Sequence, residues 1–389
     1  MTLSYLVLQP TSLCNLNCTY CYVPGRRNTS PMSAETLTRV YECLQESTHI
    51  AKSLHLLWHA GEPLTVGLPY FRSAVAAQRS YSVLADATQS IQSNGTLITD
   101  DWCHFFQDNK IGVGVSLDGP EWIHDGSRRT WGNTGSHAKT MRGVRLLQKH
   151  GVDVHALAVI TSESLDHAES FLQFFLDAGI SQIAINIEEI ENSHDQSSLA
   201  RHPRRQQERY GRFIAELFEL WWPHRERVGI REFEFIIDVA ENLNRDPEFV
   251  PAPLVTKPGA MISVSSRGDI VPFSPELVGA TSSRYHNFIV GNVHSLASFD
   301  DIRANSVYQQ MARDVTAGVE NCRRECGYYS LCGGGVPGNK YFENGSFDTT
   351  TTMFCQLQRK TLADVVVSAL IEKSHAFRAT KKLGRRGSP

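Results

Sequence analysis

Three thiols fall within eight residues in Cys14-Asn-Leu-Asn-Cys18-Thr-Tyr20-Cys21, and this spacing is the strongest chemical signal in the chain. Thiolates are the soft ligands that iron–sulfur clusters prefer, and a short loop can wrap three of them onto one cubane. Three ligands leave one iron of a [4Fe–4S] cluster open to a small chelating molecule. A structural zinc site, the alternative, usually takes four ligands in paired two-residue spacings, and no fourth Cys or His is evident nearby.

A second group, Cys322-x3-Cys326-x5-Cys332 followed after 22 residues by Cys355, offers four thiolates. Four ligands complete a site, which suits electron transfer or structure rather than substrate activation. A four-cysteine zinc site would use the same residues and stays open as the alternative. Gly333, Gly334 and Gly335 follow the third ligand and let backbone approach closely beside it. Cys43 and Cys103 lie within amphipathic helical patterns and read as small buried hydrophobes. Nine cysteines in all, an odd number, favour metal binding in a reducing compartment over a disulfide framework.

The elements that must position these groups alternate along the first half. Strands are predicted at 5–9, 54–59, 88–93, 113–116, 153–159 and 183–187. Helices are predicted between them at 34–46, 68–82, 100–109, 140–150 and 164–178, with Ser33 as a helix start and Gly151 and Gly179 as C-caps. Strands alternating with helices imply a parallel sheet with right-handed crossovers. Six units are too few for a closed eight-stranded barrel, so the predicted fold is α/β, a partial (β/α)6 TIM-like barrel. Further helices are expected at 209–222, 232–243 and 356–372, and a hairpin turn at Ser266-Arg267-Gly268-Asp269. The domain reading is a partial barrel over 1–230, a bridging region and Cys-rich unit over 231–360, and a C-terminal helix with a basic tail over 361–389.

With 389 residues, 41% hydrophobic and 20% charged, the chain is a globular protein with a net charge of −3. That balance gives no footprint for nucleic acid. No apolar run approaches the ~20 residues of a membrane span, and the N-terminus lacks the features of a signal peptide. A cytoplasmic location is expected. The basic stretch Lys381–Arg386 reads as a solvated, mobile end.

The Cys14/Cys18/Cys21 loop, with Tyr20 before its last ligand, resembles that of the radical S-adenosylmethionine superfamily. His59-Ala60-Gly61-Glu62-Pro63 is similar to the family's Gly-Gly-Glu-Pro motif, with Ala60 in place of the first glycine. Gln92-Ser93-Asn94-Gly95 resembles its Thr-Asn-Gly segment. Ser116-Leu-Asp118-Gly119-Pro120, then His124-Asp125-x-x-Arg128, resembles a segment of peptide- and protein-modifying members. The resemblance implies that S-adenosylmethionine chelates the open iron and is cleaved to a 5′-deoxyadenosyl radical. It also implies that Tyr20, Gly61, Glu62, Asn94, Ser116 and Arg128 line the cofactor, Glu62 meeting its amino group and Arg128 its carboxylate.

The second cysteine group resembles the C-terminal extension called SPASM, which carries seven cysteines for two auxiliary clusters. Here the first spacing is three rather than two, Val336 occupies one ligand position, and Phe273–Ser274 stands near another. The positions lost belong to the inner cluster, so one auxiliary [4Fe–4S] cluster on Cys322, Cys326, Cys332 and Cys355 is implied. Three segments look like the branch that joins an aromatic ring carbon to the β-carbon of a residue two positions later in ribosomally synthesised precursor peptides, forming a cyclophane. They are Leu8-Gln-Pro-Thr-Ser-x-Cys14, Ile185-Asn-Ile-Glu188-Glu189, and Cys332 through Asn339-Lys340 to Phe347.

In that chemistry a β-hydrogen is removed and the carbon radical adds to the ring. Loss of an electron, expected to go to the auxiliary cluster, and of a proton then restores aromaticity. Asp118, Glu188 and Glu189 are the candidate bases. The implied partners are the precursor peptide and an external donor of flavodoxin or ferredoxin type. With little chain before Cys14, the peptide is expected to be recognised by the barrel mouth, the C-terminal unit or a separate protein. An anaerobic sulfatase-maturing enzyme is the alternative activity, though it would be expected to keep all seven auxiliary cysteines. A non-catalytic iron–sulfur or zinc scaffold that binds peptides is the alternative outside enzymes.

Overall fold

A computed structural model describes residues 2–384. Its organising strand is β1 (Leu3–Leu8), whose Leu6, Val7 and Leu8 are fully buried. A parallel strand covered on both faces favours an apolar run, and Leu6-Val7-Leu8 supplies one in the C-terminal half of β1. Toward one side run β2 (Ile50–Trp58), β3 (Thr88–Ser93), β4 (Ile111–Ser116), β5 (Val154–Ile160) and β6 (Gln182–Ile187), all parallel and in chain order. Helices Ala34–Gln45, Leu68–Gln78, Asp100–Asp108, His137–Lys149 and Ala168–Asp177 make the crossovers. The six expected β/α units are present. Ser33 caps the first helix by accepting from the Thr36 N–H at 3.0 Å, and Gly151 and Gly179 take the left-handed conformation just past their helices.

The sheet does not end with those six strands. β7 (Gly229–Ile230) adds to β6, and β8 (Met261–Val264) pairs in parallel with β1. β9 (Asp269–Pro272) and β10 (Gly291–Asn292) follow antiparallel, giving ten strands in the order β10-β9-β8-β1-β2-β3-β4-β5-β6-β7. The region proposed to begin at 231 therefore grows on the barrel's own sheet. The expected turn at 266–269 joins β8 to β9, with Gly268 at φ +83°.

Three helical features differ from expectation. Helix Pro203–Trp221 starts earlier than predicted, with proline in its first turn. Helix Ser306–Glu325 has no counterpart in the sequence reading; Asn305 caps it by accepting from the Val307 and Tyr308 N–H groups. The C-terminal helix opens with a π-helical turn, Cys355–Thr361, before the α-helix that reaches Gly384. Residues 385–389 of the expected basic tail lie outside the described residues. No helix among those described is long and apolar enough to cross a membrane.

Candidate active site

Three short loops at the C-terminal ends of β1, β2 and β3 form one wall of a central cavity of about 600 Å³. Cys14, Cys18 and Cys21 all line it. Their loop has no regular structure, so it is held from outside. Its Asn17 and Thr19 N–H groups donate to the Arg129 and Ser127 carbonyls at 2.6 and 3.0 Å, and Trp131 Nε1 donates to the Cys14 carbonyl at 2.9 Å. From below, the Glu62 N–H donates to the Leu13 carbonyl at 2.7 Å. Gly61 permits this approach: at φ +58°, a Cβ there would stand 2.5 Å from that same carbonyl oxygen.

Among the described residues, no group of three or more Cys, His, Asp or Glu is close enough to chelate a single ion. Cys18 and Cys21 are nevertheless near enough, like Glu62, to raise the cost of charging Cys14. Burial is the larger cause, and together they push its thiol up to about 12. Soft donors at wider than single-ion spacing, facing an open cavity, fit a cubane with one free corner.

The motif residues divide into those that face the cavity and those that brace it. Tyr20, Gly61, Asn94, Ser116 and Arg128 face it. Asn94 Nδ2 donates to Asn15 Oδ1 at 2.8 Å and lies 3.9 Å from Cys14 Sγ, and Ser116 accepts from Gln92 Nε2 at 3.0 Å. Glu62 departs from its expected role. Its carboxylate is 1% exposed and does not line the cavity; it accepts from the Leu64 and Asn94 N–H groups and from the Ser93 hydroxyl, at 3.1, 2.6 and 2.8 Å. Burial raises its pKa to about 7 despite those bonds. The side chain ties the end of β2 to the end of β3, and His59, Ala60 and Gly61 are the part of the motif that meets the cavity.

Asp118 is likewise turned away from the cavity. Its Oδ1 accepts from the Val159 N–H at 3.0 Å, while Oδ2 accepts from Arg128 Nε at 3.0 Å and from the Tyr20 hydroxyl. It is 1% exposed and absent from the cavity wall. A carboxylate committed to three donors, one of them a guanidinium, is a positioning group and a poor base. Burial opposes the Arg128 charge, but the Asp118 carboxylate outweighs it and keeps the guanidinium firmly protonated. Arg128 also lies over the Tyr20 ring, 5.3 Å from its centroid, and its terminal nitrogens make no hydrogen bond among the described residues.

The opposite wall is acidic. Glu188 and Glu189 follow β6 directly, and both reach the cavity. Glu188 accepts from the Ser198 N–H at 2.8 Å and from the Ser198 hydroxyl, and His194 Nε2 lies 3.2 Å away. Burial works to raise its pKa, but these partners prevail and hold it below the usual carboxylate range. Glu189 is the reverse. It accepts from Asn339 Nδ2 at 2.6 Å, and its desolvated position, with the Glu276 charge nearby, raises its pKa. Glu191 and Glu276 are raised by the same cause. Of the three expected bases, Glu189 has the ionisation suited to taking a proton near neutral pH.

Sequence reasoning missed Glu191, Glu276, Tyr22, Gln358 and Arg359. Asn192 Nδ2 donates to the Glu276 and Val278 carbonyls at 2.9 and 3.0 Å, so the loop after β6 meets the loop after β9. Gln358 and Arg359 reach the cavity from the π-helical turn that begins at Cys355.

The second thiol group lies behind that wall. Cys322 lies in the last turn of helix Ser306–Glu325, Cys326 caps it, and Cys332 precedes three glycines at positive φ. A Cβ on Gly333 would stand 2.0 Å from the Pro251 carbonyl oxygen, and one on Gly334 would stand 2.9 Å from Val319, so this turn excludes side chains. Cys322 and Cys355 each sense the charge of both Cys326 and Cys332. Lys340, 2% exposed, donates to Cys322 Sγ at 3.4 Å and to the Gly318 carbonyl at 2.9 Å. It has no carboxylate partner among the described residues, and an unpaired buried ammonium calls for anionic charge beside it. Four thiolates around a cluster supply that charge, so the donor set fits the auxiliary group.

The family profile described as "Radical SAM superfamily" matches residues 8–175. An uncharacterized protein of Synechocystis sp. is 37% identical over 372 residues, covering 94% of this chain and 92% of its own. A serine-type anaerobic sulfatase-maturating enzyme of Bacteroides thetaiotaomicron is 26% identical over 373 residues, covering 90% and 87%. Native anSMEcpe with bound AdoMet and Cp18Cys peptide superposes with a TM-score of 0.77 at 22% identity over 96% of this chain and 99% of that one. Streptococcus suis SuiB bound to precursor peptide SuiA gives 0.61 at 17% identity, over 92% and 76%. The fold and site are those of an iron–sulfur enzyme that uses S-adenosylmethionine. The chain belongs to the radical SAM superfamily and carries a SPASM-like Cys-rich C-terminal unit.

Replacing Asp118 by Asn leaves Arg128 buried without its counter-charge. Asp118→Asn is expected to cost about 3–5 kcal/mol of stability, measured by denaturant unfolding. A loss below about 1 kcal/mol would show that the pair does not brace the site.

Proposed function

We propose that the chain is a peptide maturase that joins an aromatic ring carbon to the β-carbon of a nearby residue in a ribosomally synthesised precursor peptide. The observation that carries this reading is one cavity with the Cys14/Cys18/Cys21 loop on one wall and Glu189 on the other. Residues flanking the second cysteine group, Val336, Asn339 and Phe354, close its side. Two solved structures of the same fold are described with a bound peptide, which supports a peptide in this cavity.

The cluster and S-adenosylmethionine supply, when bound, a carbon-centred radical that can remove hydrogen from an unactivated carbon. Cys14, Cys18 and Cys21 hold that cluster. Asn94, Ser116 and Arg128 would hold the cofactor, the guanidinium fork of Arg128 offering paired donors suited to a carboxylate. Once the substrate radical has added to the ring, one electron and one proton must leave. Glu189 takes the proton, and its hydrogen bond from Asn339 fixes the receiving carboxylate. Cys322, Cys326, Cys332 and Cys355 would hold the auxiliary cluster, where the Lys340 charge beside Cys322 would favour its reduced form. The electrons that start the reaction come from a flavodoxin- or ferredoxin-type donor in the cytoplasm.

An anaerobic sulfatase-maturating activity is the second reading, favoured by the Bacteroides relative. Against it, Ser274 and Val336 stand on the cavity wall where a seven-cysteine domain would place inner-cluster ligands.

The reconstituted protein, reduced in the presence of S-adenosylmethionine, is expected to form 5′-deoxyadenosine and to contain roughly eight iron atoms per chain. No 5′-deoxyadenosine would leave only a scaffold, and roughly four iron atoms would remove the auxiliary cluster. Crosslinking should accelerate as pH rises through the raised range of Glu189, because only the ionised carboxylate accepts a proton. Glu189→Gln should lower the rate by about 100-fold or more and abolish that rising limb; an unchanged pH profile would exclude Glu189 as the base. Lys340→Met should lower the midpoint potential of the auxiliary cluster in an EPR-monitored redox titration, whereas an unchanged potential at full iron content would separate Lys340 from the cluster.

A further inference from the structure

Among the polar groups of the cavity, one corner contains acceptors almost exclusively. Glu189 and Glu191 lie near each other, and Glu276 stands close enough to raise the cost of charging both. The Ser274 hydroxyl donates to Glu276. Asn339 is fully buried; its Nδ2 donates to Glu189, and its Oδ1 has no partner. A buried amide oxygen left without a donor marks a place where a donor is expected to arrive.

No Lys or Arg forms an ion pair with Glu189, Glu191 or Glu276 among the described residues. The other cavity cations are committed elsewhere. Arg128 pairs with Asp118 and Arg231 with Glu232. Arg359 donates to the Gln358 carbonyl at 3.2 Å and lies over the Phe354 ring at 5.0 Å; its charge is felt by Glu189 without a bridge.

We propose that this corner is a subsite for a cationic side chain of the substrate peptide, held by Glu191, Glu276 and the free Asn339 carbonyl oxygen. The identity of the substrate as a peptide rests on the reading above. A neutral donor could satisfy the Asn339 oxygen but would leave three carboxyl groups crowded together. They could then avoid repulsion only by holding protons. A guanidinium or ammonium answers both demands, and the planar five-donor fork of a guanidinium matches several acceptors at once. The corner joins the loops after β6 and β9, so the peptide would be gripped where the two ends of the sheet come together.

The test uses the cluster-loaded protein without reductant, so its result does not depend on whether crosslinking occurs. N-butylguanidinium and its uncharged analogue N-butylurea are titrated by calorimetry in two buffers of different ionisation enthalpy. The cation is expected to bind at least about tenfold more tightly than the urea, with release of protons as the carboxyls ionise. The Glu191→Gln/Glu276→Gln double variant should lose that preference. Equal binding of the two probes, no binding of the cation at its highest soluble concentration, or a preference that survives in the double variant would overturn the subsite. If the double variant does not fold, the cation-to-urea ratio and the proton release of the wild type decide.

Discussion

The loop bearing Cys14, Cys18 and Cys21 has no secondary structure of its own, and the site depends on holding it still. Two contacts from opposite sides do so. The backbone at 127–131 hydrogen-bonds the loop from one side, while Gly61 lets the end of β2 reach the Leu13 carbonyl from the other. Between them, the buried Asp118–Arg128 pair fixes Tyr20 against the guanidinium. A buried pair of this kind adds little net stability compared with apolar packing, but removing one partner is severe. Its value here lies in position: it leaves the outer fork of Arg128 facing the cavity.

The same principle sorts the carboxylates. Asp118, Glu62 and Glu188 each accept from several donors and serve as braces. Glu189, Glu191 and Glu276 have fewer donors, and the cost of desolvating charge dominates there, as it does at Glu62 despite its three donors. Acids kept short of partners deep in a protein cost stability, and such strain concentrates at functional sites. The acidic wall and the thiol-bearing wall are brought to face each other by a ten-stranded sheet whose outer loops meet through Asn192.

Much of this was legible in the sequence. The six core strands were readable because short β-rich runs alternate with longer amphipathic helical ones, and the thiol spacing identified the ligand loop before any fold was known. What escaped were features set by distant contacts. Glu276 matters because Asn192, 84 residues earlier, carries its loop to the cavity. Asn339 matters through Glu189, 150 residues away. β7 to β10 are two to four residues long and pair only because β1 and β6 offer free edges. Glu62 and Asp118 were singled out by motif, but their side chains turn away from the cavity for a related reason: a motif identifies a residue, whereas its hydrogen-bond partners decide which way its side chain faces.

The account stands or falls on which bond the enzyme makes. Tandem mass spectrometry should be applied to the product of the reduced enzyme, S-adenosylmethionine and the precursor peptide. Crosslinking and oxidation of a serine to formylglycine both remove two hydrogens, so mass alone does not distinguish them. A new bond between an aromatic residue and the β-carbon of a neighbour would leave the segment between them resistant to backbone fragmentation. The account predicts that protected segment. A product that fragments throughout, with the two-hydrogen loss confined to a single serine, would contradict it.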